Sequence, residues 1–150
     1  LPEGLIPRGA WIGDRFYVYA HDGTRGLVWE VTSKTESLGE PRVVALPDLG
    51  NKGERVWQEV EAAGSRLLVY EMFASKVDRR REDTPAGAIP GGAFLVDPGT
   101  GKIVRHLAPT TYFARLRASS DGRFVYGIPP RGYADLAFAQ HMLASNIGNT

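Results

Sequence analysis

Apolar and polar positions alternate along this chain in short runs, and the runs return in a fixed order. The clearest copy covers residues 94–128. The apolar run Phe94-Leu95-Val96 ends at Asp97, and Pro98-Gly99-Thr100-Gly101 supplies turn chemistry. Residues 103–107 then resume the apolar pattern, as do residues 112–118. Ser119-Ser120-Asp121-Gly122 turns the chain once more into Arg123-Phe124-Val125-Tyr126. Short apolar runs bounded by Gly, Pro, Asp and Ser predict β-strands joined by tight turns. No stretch within 9–128 places apolar residues at i, i+3, i+4 and i+7 over three turns, so helix is not expected there.

Earlier parts of the chain carry weaker copies. Strands are predicted over 9–12, 15–20, 26–31 and 42–46, with turns at Gly13-Asp14 and His21-Asp22-Gly23. The pattern restarts over 56–63, turns at Gly64-Ser65, and continues over 66–70, 93–96 and 103–107. A third copy opens at 112–118 and 123–128, with 133–139 as its candidate third strand. Residues 75–92 form an insertion that holds the charge run Asp78-Arg79-Arg80-Arg81-Glu82-Asp83 and the prolines Pro85 and Pro90.

The three second strands read RFYVY, RLLVY and RFVYG, and their Val-Tyr pairs align Val18, Val69 and Val125 at intervals of 51 and 56 residues. The third strands align at Val31 and Val96, 65 apart, the excess falling in the insertion. Four strands repeating every ~40 to 50 residues mark a β-propeller blade. The fold class expected is therefore all-β: four-stranded antiparallel blades in one propeller segment over 1–150, with blades at 9–47, 56–109 and 112–150. The competing arrangement is a closed antiparallel sandwich. Second strands apolar on both faces, as Phe16, Val18, Leu67, Val69, Phe124 and Tyr126 suggest, belong between covering sheets. Those six are expected in the core, with Trp11, Trp29 and Trp57 filling gaps between sheets. The outermost faces are expected to carry Trp11, Tyr17, Phe113 and Val125 into water.

Composition narrows the classes. Eighteen basic and seventeen acidic residues leave a net charge of +1, which gives no basis for a nucleic-acid partner. There is no cysteine, which removes disulfides and thiolate metal sites. No run of eighteen apolar residues exists, so no membrane span is expected. The chain opens on Leu1 rather than Met, as expected of one that has lost a leader or been cut from a longer sequence.

Residues 94–104, FLVDPGTGKIV, with 118–126, ASSDGRFVY, resemble the YVTN-type propeller repeat. In that repeat a strand ends in Asp, a Thr-Gly-Lys turn follows, then Ser-Pro-Asp-Gly-Arg and a Val-Tyr strand. The first part is also similar to repeats of quinoprotein dehydrogenases. Ser120 stands where the family has Pro, and Thr32 stands where Asp97 aligns in the first copy. The resemblance implies blades. It also implies a periplasmic or extracellular setting, which the composition does not fix. Such repeats occur in lactonases, amine dehydrogenase heavy chains, surface proteins and scaffolds, so they do not fix function. Propellers have about 4 to 8 blades, and this chain supplies fewer than three full ones. The ring is expected to be completed by further blades, from other copies, other chains or more of its own sequence.

Candidate chemistry is thin. Gly99-Thr100-Gly101-Lys102 lacks the first glycine and the following Ser or Thr of a phosphate loop and reads as a β-turn. Among the histidines, His21 sits in a turn, His106 lies on a strand, and His141 falls in a tail without period. Glu59 and Glu61 share a strand face, as an acid–base pair would, or as a solvated strand face does. The run Arg79, Arg80, Arg81, Glu82 and Asp83 is the candidate partner-binding loop, against the plain alternative of a solvated loop. Together these residues read as a non-catalytic propeller module that binds a protein partner, needs no cofactor and has no assigned catalytic residue. The alternatives are part of a propeller enzyme, quinoprotein-like with PQQ or lactonase-like with a metal, completed by other blades, and a structural surface protein. Charge, Pro and Gly leave 75–92 little apolar area to offset the entropy of ordering. Limited trypsin digestion is expected to cut first after Arg79, Arg80 or Arg81; first cuts within 15–20 would misplace the rigid part.

Overall fold

A computed structural model describes residues 4–31, 38–47, 54–74, 88–107, 115–128 and 145–146. The described part is all-β, with three antiparallel sheets and no helix. The first sheet is an up-and-down meander of β1 (Arg8–Ile12), β2 (Arg15–His21), β3 (Gly26–Val31) and β4 (Arg42–Val44). The middle sheet repeats that order with β5 (Glu54–Ala63), β6 (Arg66–Ala74), β7 (Ala88–Val96) and β8 (Ile103–Leu107). The third is built on β9 (Arg115–Ala118) and β10 (Phe124–Ile128), with the two-residue β11 (Ser145–Asn146) on the far edge of β10. Among the described residues no helix is long and apolar enough to cross a membrane.

Local chemistry explains the hairpins. Ile12 pairs with Arg15 and Ala63 with Arg66 across two-residue loops. Gly13 and Gly64 open those loops at φ of 61° and 63°, the positive φ that twist-matched hairpin turns require. The β7–β8 turn is closed by Asp97, whose Oδ1 accepts from Gly99 N at 2.8 Å while its carbonyl accepts from Gly101 N at 2.8 Å. Ser119 closes the β9–β10 turn, its Oγ accepting from Phe124 N at 3.0 Å.

Cross-strand partners share a face, so the registers define what each sheet buries. Leu67 pairs with Val96 and Val69 with Phe94, and this face of the middle sheet packs on Tyr17, Tyr19, Val28 and Val44 of the first sheet. Leu68 pairs with Leu95 and Tyr70 with Ala93, and this opposite face packs on Val125, Leu116 and Ala118 of the third sheet. Both faces of the middle sheet are thus covered. Leu67, Val69, Leu95 and Val96 have no exposed area at all. The opening strands of successive sheets are neighbours, β1 beside β5 and β5 beside β9. Turns also meet the next sheet. A Cβ on Gly101 would lie 2.6 Å from the Val43 carbonyl oxygen of the first sheet. One on Gly122 would lie 2.4 Å from the Gly64 backbone of the middle sheet.

Several sequence expectations change here. Of the six expected core residues, Leu67 and Val69 are fully buried, but Phe16, Val18 and Phe124 are only half-buried and Tyr126 is 39% exposed. These four lie on the first and third sheets, on the faces turned away from the middle one. Conversely, Tyr17 and Val125, expected in water, are 5% and 3% exposed because they face the middle sheet. Trp11 is 64% exposed, as the outer-face expectation had it and against its expected place between sheets. Trp29 is buried, but on the outer face of the first sheet, with Leu5 and Leu38 beside it. Phe113 and the side chain of Trp57 lie outside the described residues.

The insertion is shorter than expected. The β6–β7 ladder runs on to Ala74 opposite Ala88, so 88–92 is strand. Pro90 and the neighbouring glycines read as loop in the sequence. A bulge between Glu71 and Met72, opposite Gly91, admits them, since proline cannot donate to a regular ladder. The expected third strand of the last unit, 133–139, lies outside the described residues.

Replacing Leu67 with Ala removes apolar volume from the joint between the first two sheets and is expected to cost about 2–5 kcal/mol in urea unfolding. Gly122→Ala is expected to destabilise as well, since it adds positive-φ strain of about 1–2 kcal/mol to the clash with Gly64. A loss below about 1 kcal/mol for Leu67→Ala is incompatible with the packing described.

Candidate functional site

The groups with chemical potential are distributed over turns and opening strands. His21 closes β2, and Asp22-Gly23 begin the turn after it. Asp22 Oδ1 accepts from Thr24 N at 3.1 Å, Thr24 Oγ1 at 2.9 Å and Arg25 N at 3.0 Å, and Oδ2 accepts from Arg25 Nε at 2.8 Å. The Arg25 guanidinium, then the backbone donors of Arg25 and Thr24, hold the Asp22 carboxyl well below the usual carboxylate range. His21 Nδ1 accepts from Gly23 N at 3.1 Å. The turn reading therefore accounts for the atoms that an acid–base pair would need. Asp121 is held low in the same way, by the Ser119 hydroxyl first and Arg123 N second.

Residues Gly99, Thr100, Gly101 and Lys102 form the β7–β8 turn, with Asp97 N donating to the Lys102 carbonyl at 2.9 Å. The loop's inward donors are satisfied by Asp97, so they do not cradle an anion. His106 is exposed on β8 across from Phe94, the rings 6.4 Å apart. His141 lies outside the described residues, as do Arg79, Arg80, Arg81, Glu82 and Asp83.

Glu59 and Glu61 are the sequence-predicted pair that the structure places in a cleft. Alternation along β5 turns both toward the third sheet, opposite Tyr70 and Leu68. Glu59, Val60, Glu61, Leu68, Tyr70, Leu116 and Arg117 line a cleft of about 20 Å³. That volume holds about one water and is more than tenfold below the ~300 Å³ of a small-ligand pocket. Glu61 is already engaged. Its Oε2 accepts from Ala118 N at 2.8 Å, and its Oε1 accepts from Arg117 Nη1 at 3.2 Å. The carboxylate thus fastens β5 to β9 and satisfies a backbone donor on the neighbouring sheet's opening edge. Chemically the cleft is a joint between sheets. Arg117 is a residue that the sequence reading misses. The available signal is the alternation of Arg115 and Arg117 on β9, matching that of Glu59 and Glu61 on β5.

A second charged strap crosses the first sheet. Glu30 forms an ion pair with Arg15 at 3.5 Å and accepts from Arg42 at 3.4 Å, tying β2, β3 and β4. Among the described residues no cluster of three or more His, Asp or Glu side chains could hold a metal ion. Compared with protein-family models, curated proteins and solved structures, the chain finds no match.

Glu61→Ala is expected to leave Ala118 N without its acceptor, at a cost of about 1–3 kcal/mol. Its hydrogen-exchange signature is faster exchange at Ala118 with protection of β6 and β7 retained. Unchanged exchange at Ala118 would show that the carboxylate does not hold that edge.

Proposed function

We propose that the three sheets are consecutive blades of a β-propeller, and that the chain is a non-catalytic module that binds a protein partner through Arg79, Arg80, Arg81, Glu82 and Asp83. The observation that carries this reading is the middle sheet covered on both faces by like sheets, with β1, β5 and β9 side by side. In a propeller, opening strands line the axis and each blade is sandwiched by its neighbours. The three meanders correspond to blades at 9–47, 56–109 and 112–150. The best placed chemical groups, Asp22, Glu61 and the Asp97 turn, are occupied in holding turns and joints. This favours recognition over catalysis. Three arginines beside two acids suit a partner with exposed carboxylates. The segment that carries them leaves the middle sheet where Ala74 and Ala88 stand in register, the end of a long paired hairpin.

A photocrosslinking residue at position 80 is expected to capture a discrete protein from the native host's extract. The same residue at Thr24, on the exposed β2–β3 turn, is not. Arg79→Ser with Arg81→Ser is expected to reduce that capture at least tenfold. Equal capture from both positions would remove the binding role from this segment.

A further inference from the structure

The segment ahead of β1 is tied to both sides of the first sheet. Leu5 packs, as Leu38 does, on the outer-face cluster of Ala20, Leu27 and Trp29, all three of them buried. Register puts Ala20 opposite Leu27 and Val18 opposite Trp29, so the cluster is one continuous piece of that face. Arg8 stands opposite Tyr19, which brings the residues before it past Ala20. The next residue, Ile6, is held from the other side. Its carbonyl accepts from Gln58 Nε2 of β5 at 3.4 Å. Alternation along β5 groups Gln58 with Val60 and Ala62, which pack on the joint between the first two sheets.

Both ties are slight. On its inner face the first sheet meets a whole sheet, and Tyr19 and Val28 have no exposed area there. On its outer face the cover is thinner. Leu5 and Leu38 are themselves only half-buried, and Ile6 is 58% exposed. The bond from Gln58 is longer than the ordinary N–H···O range of about 2.7–3.2 Å. Gln58 Oε1 is buried and finds no partner among the described residues. A buried amide oxygen without a donor favours any state that admits water to it. The first ladder begins only at Arg8, so no strand pairing holds residues 4–7. A segment with few buried contacts and no ladder opens at lower free energy than the sheets it lies on.

We infer that residues 4–7 are a strap that opens as a unit while the sheets stay folded, and that its opening uncovers the outer-face cluster at Ala20. Leu5 leaves the cluster, and Gln58 Oε1 gains access to water. The uncovered side chains then adjoin Val43, which pairs with Leu27 and is already exposed. A closed strap keeps that apolar surface small, and an open one enlarges it. The strap rests on the contacts of Leu5 and Ile6 alone, and not on the propeller reading. A ring that closed over this face would have to displace it first.

The chain has no native cysteine, so a thiol placed under the strap reports its opening. Ala20→Cys puts one beneath Leu5, and Val69→Cys puts one in the joint between the first two sheets, where only unfolding reaches it. Each variant is checked for unchanged far-UV circular dichroism and labelled with a maleimide dye over a series of low urea concentrations. The thiol at position 20 is expected to label roughly tenfold faster or more than the one at 69. Its rate is expected to stay nearly flat with urea, because a local opening exposes little new surface, while the rate at 69 climbs. Adding Leu5→Ser to Ala20→Cys is expected to raise the rate about tenfold, still without urea dependence. Leu27→Cys, in the same cluster, gives the same readings should Ala20→Cys not fold. A rate at position 20 that climbs with urea in step with position 69 would mean that the cover opens only when the chain unfolds, and would overturn the inference. So would a rate that Leu5→Ser leaves unchanged.

Discussion

A sheet that is apolar on both faces cannot stand alone in water. The middle sheet is the clearest case in this chain: Leu67, Val69 and Val96 on one side, Leu68 and Leu95 on the other, all essentially without exposure. Burying such side chains stabilises by about 1.5–3 kcal/mol each, and that gain exists only while a second and a third sheet are in place. The turns, the glycines and the inter-sheet carboxylate all serve this requirement. Gly101 and Gly122 let turns approach a neighbouring backbone more closely than any side chain allows. Glu61 supplies the acceptor that the edge of β9 needs where it comes alongside β5.

Much of this is legible in the residues, and what is not has identifiable causes. The strands, the all-β class and the alignment of Val18, Val69 and Val125 follow from alternation and turn chemistry, both local properties. The covered face is misread for Tyr17 and Val125, because coverage depends on which sheets are neighbours. Phe16 and Tyr126 have the same composition around them as their buried counterparts in β6, and their exposure comes from standing at the ends of the stack. Residues 88–92 read as a loop because Pro90 and three nearby glycines outweigh the pairing partners that β6 provides 14 or more residues earlier.

Of the candidate site, the carboxylates are legible and their use is not. Alternation places Glu59 and Glu61 on one face, yet only the approach of β5 to β9 shows that Glu61 is bonded to Ala118 N and Arg117. His21, by contrast, is readable as leading into a turn, since it closes β2 and its Nδ1 and the Asp22 carboxylate accept from backbone N–H groups of the turn that follows. The charged run at 79–83 stands out by composition alone. Its significance depends on the paired strands that flank it, a relationship that sequence spacing obscures with its prolines and glycines.

The split of Val69 and Tyr70 between two neighbouring sheets also bears on how such a chain could grow. Because these consecutive residues of β6 carry the two unlike halves of the joints, the middle sheet is a complete connector. A duplicated unit, spliced in at a loop between sheets, would arrive with one surface that fits the preceding sheet and another that fits the next. No compensating change elsewhere would be required, and deletion of a unit would be equally silent at the junction. Variation in sheet number would then be among the least costly changes open to such a stack, while change within the Val69-Tyr70 pair disturbs two joints at once.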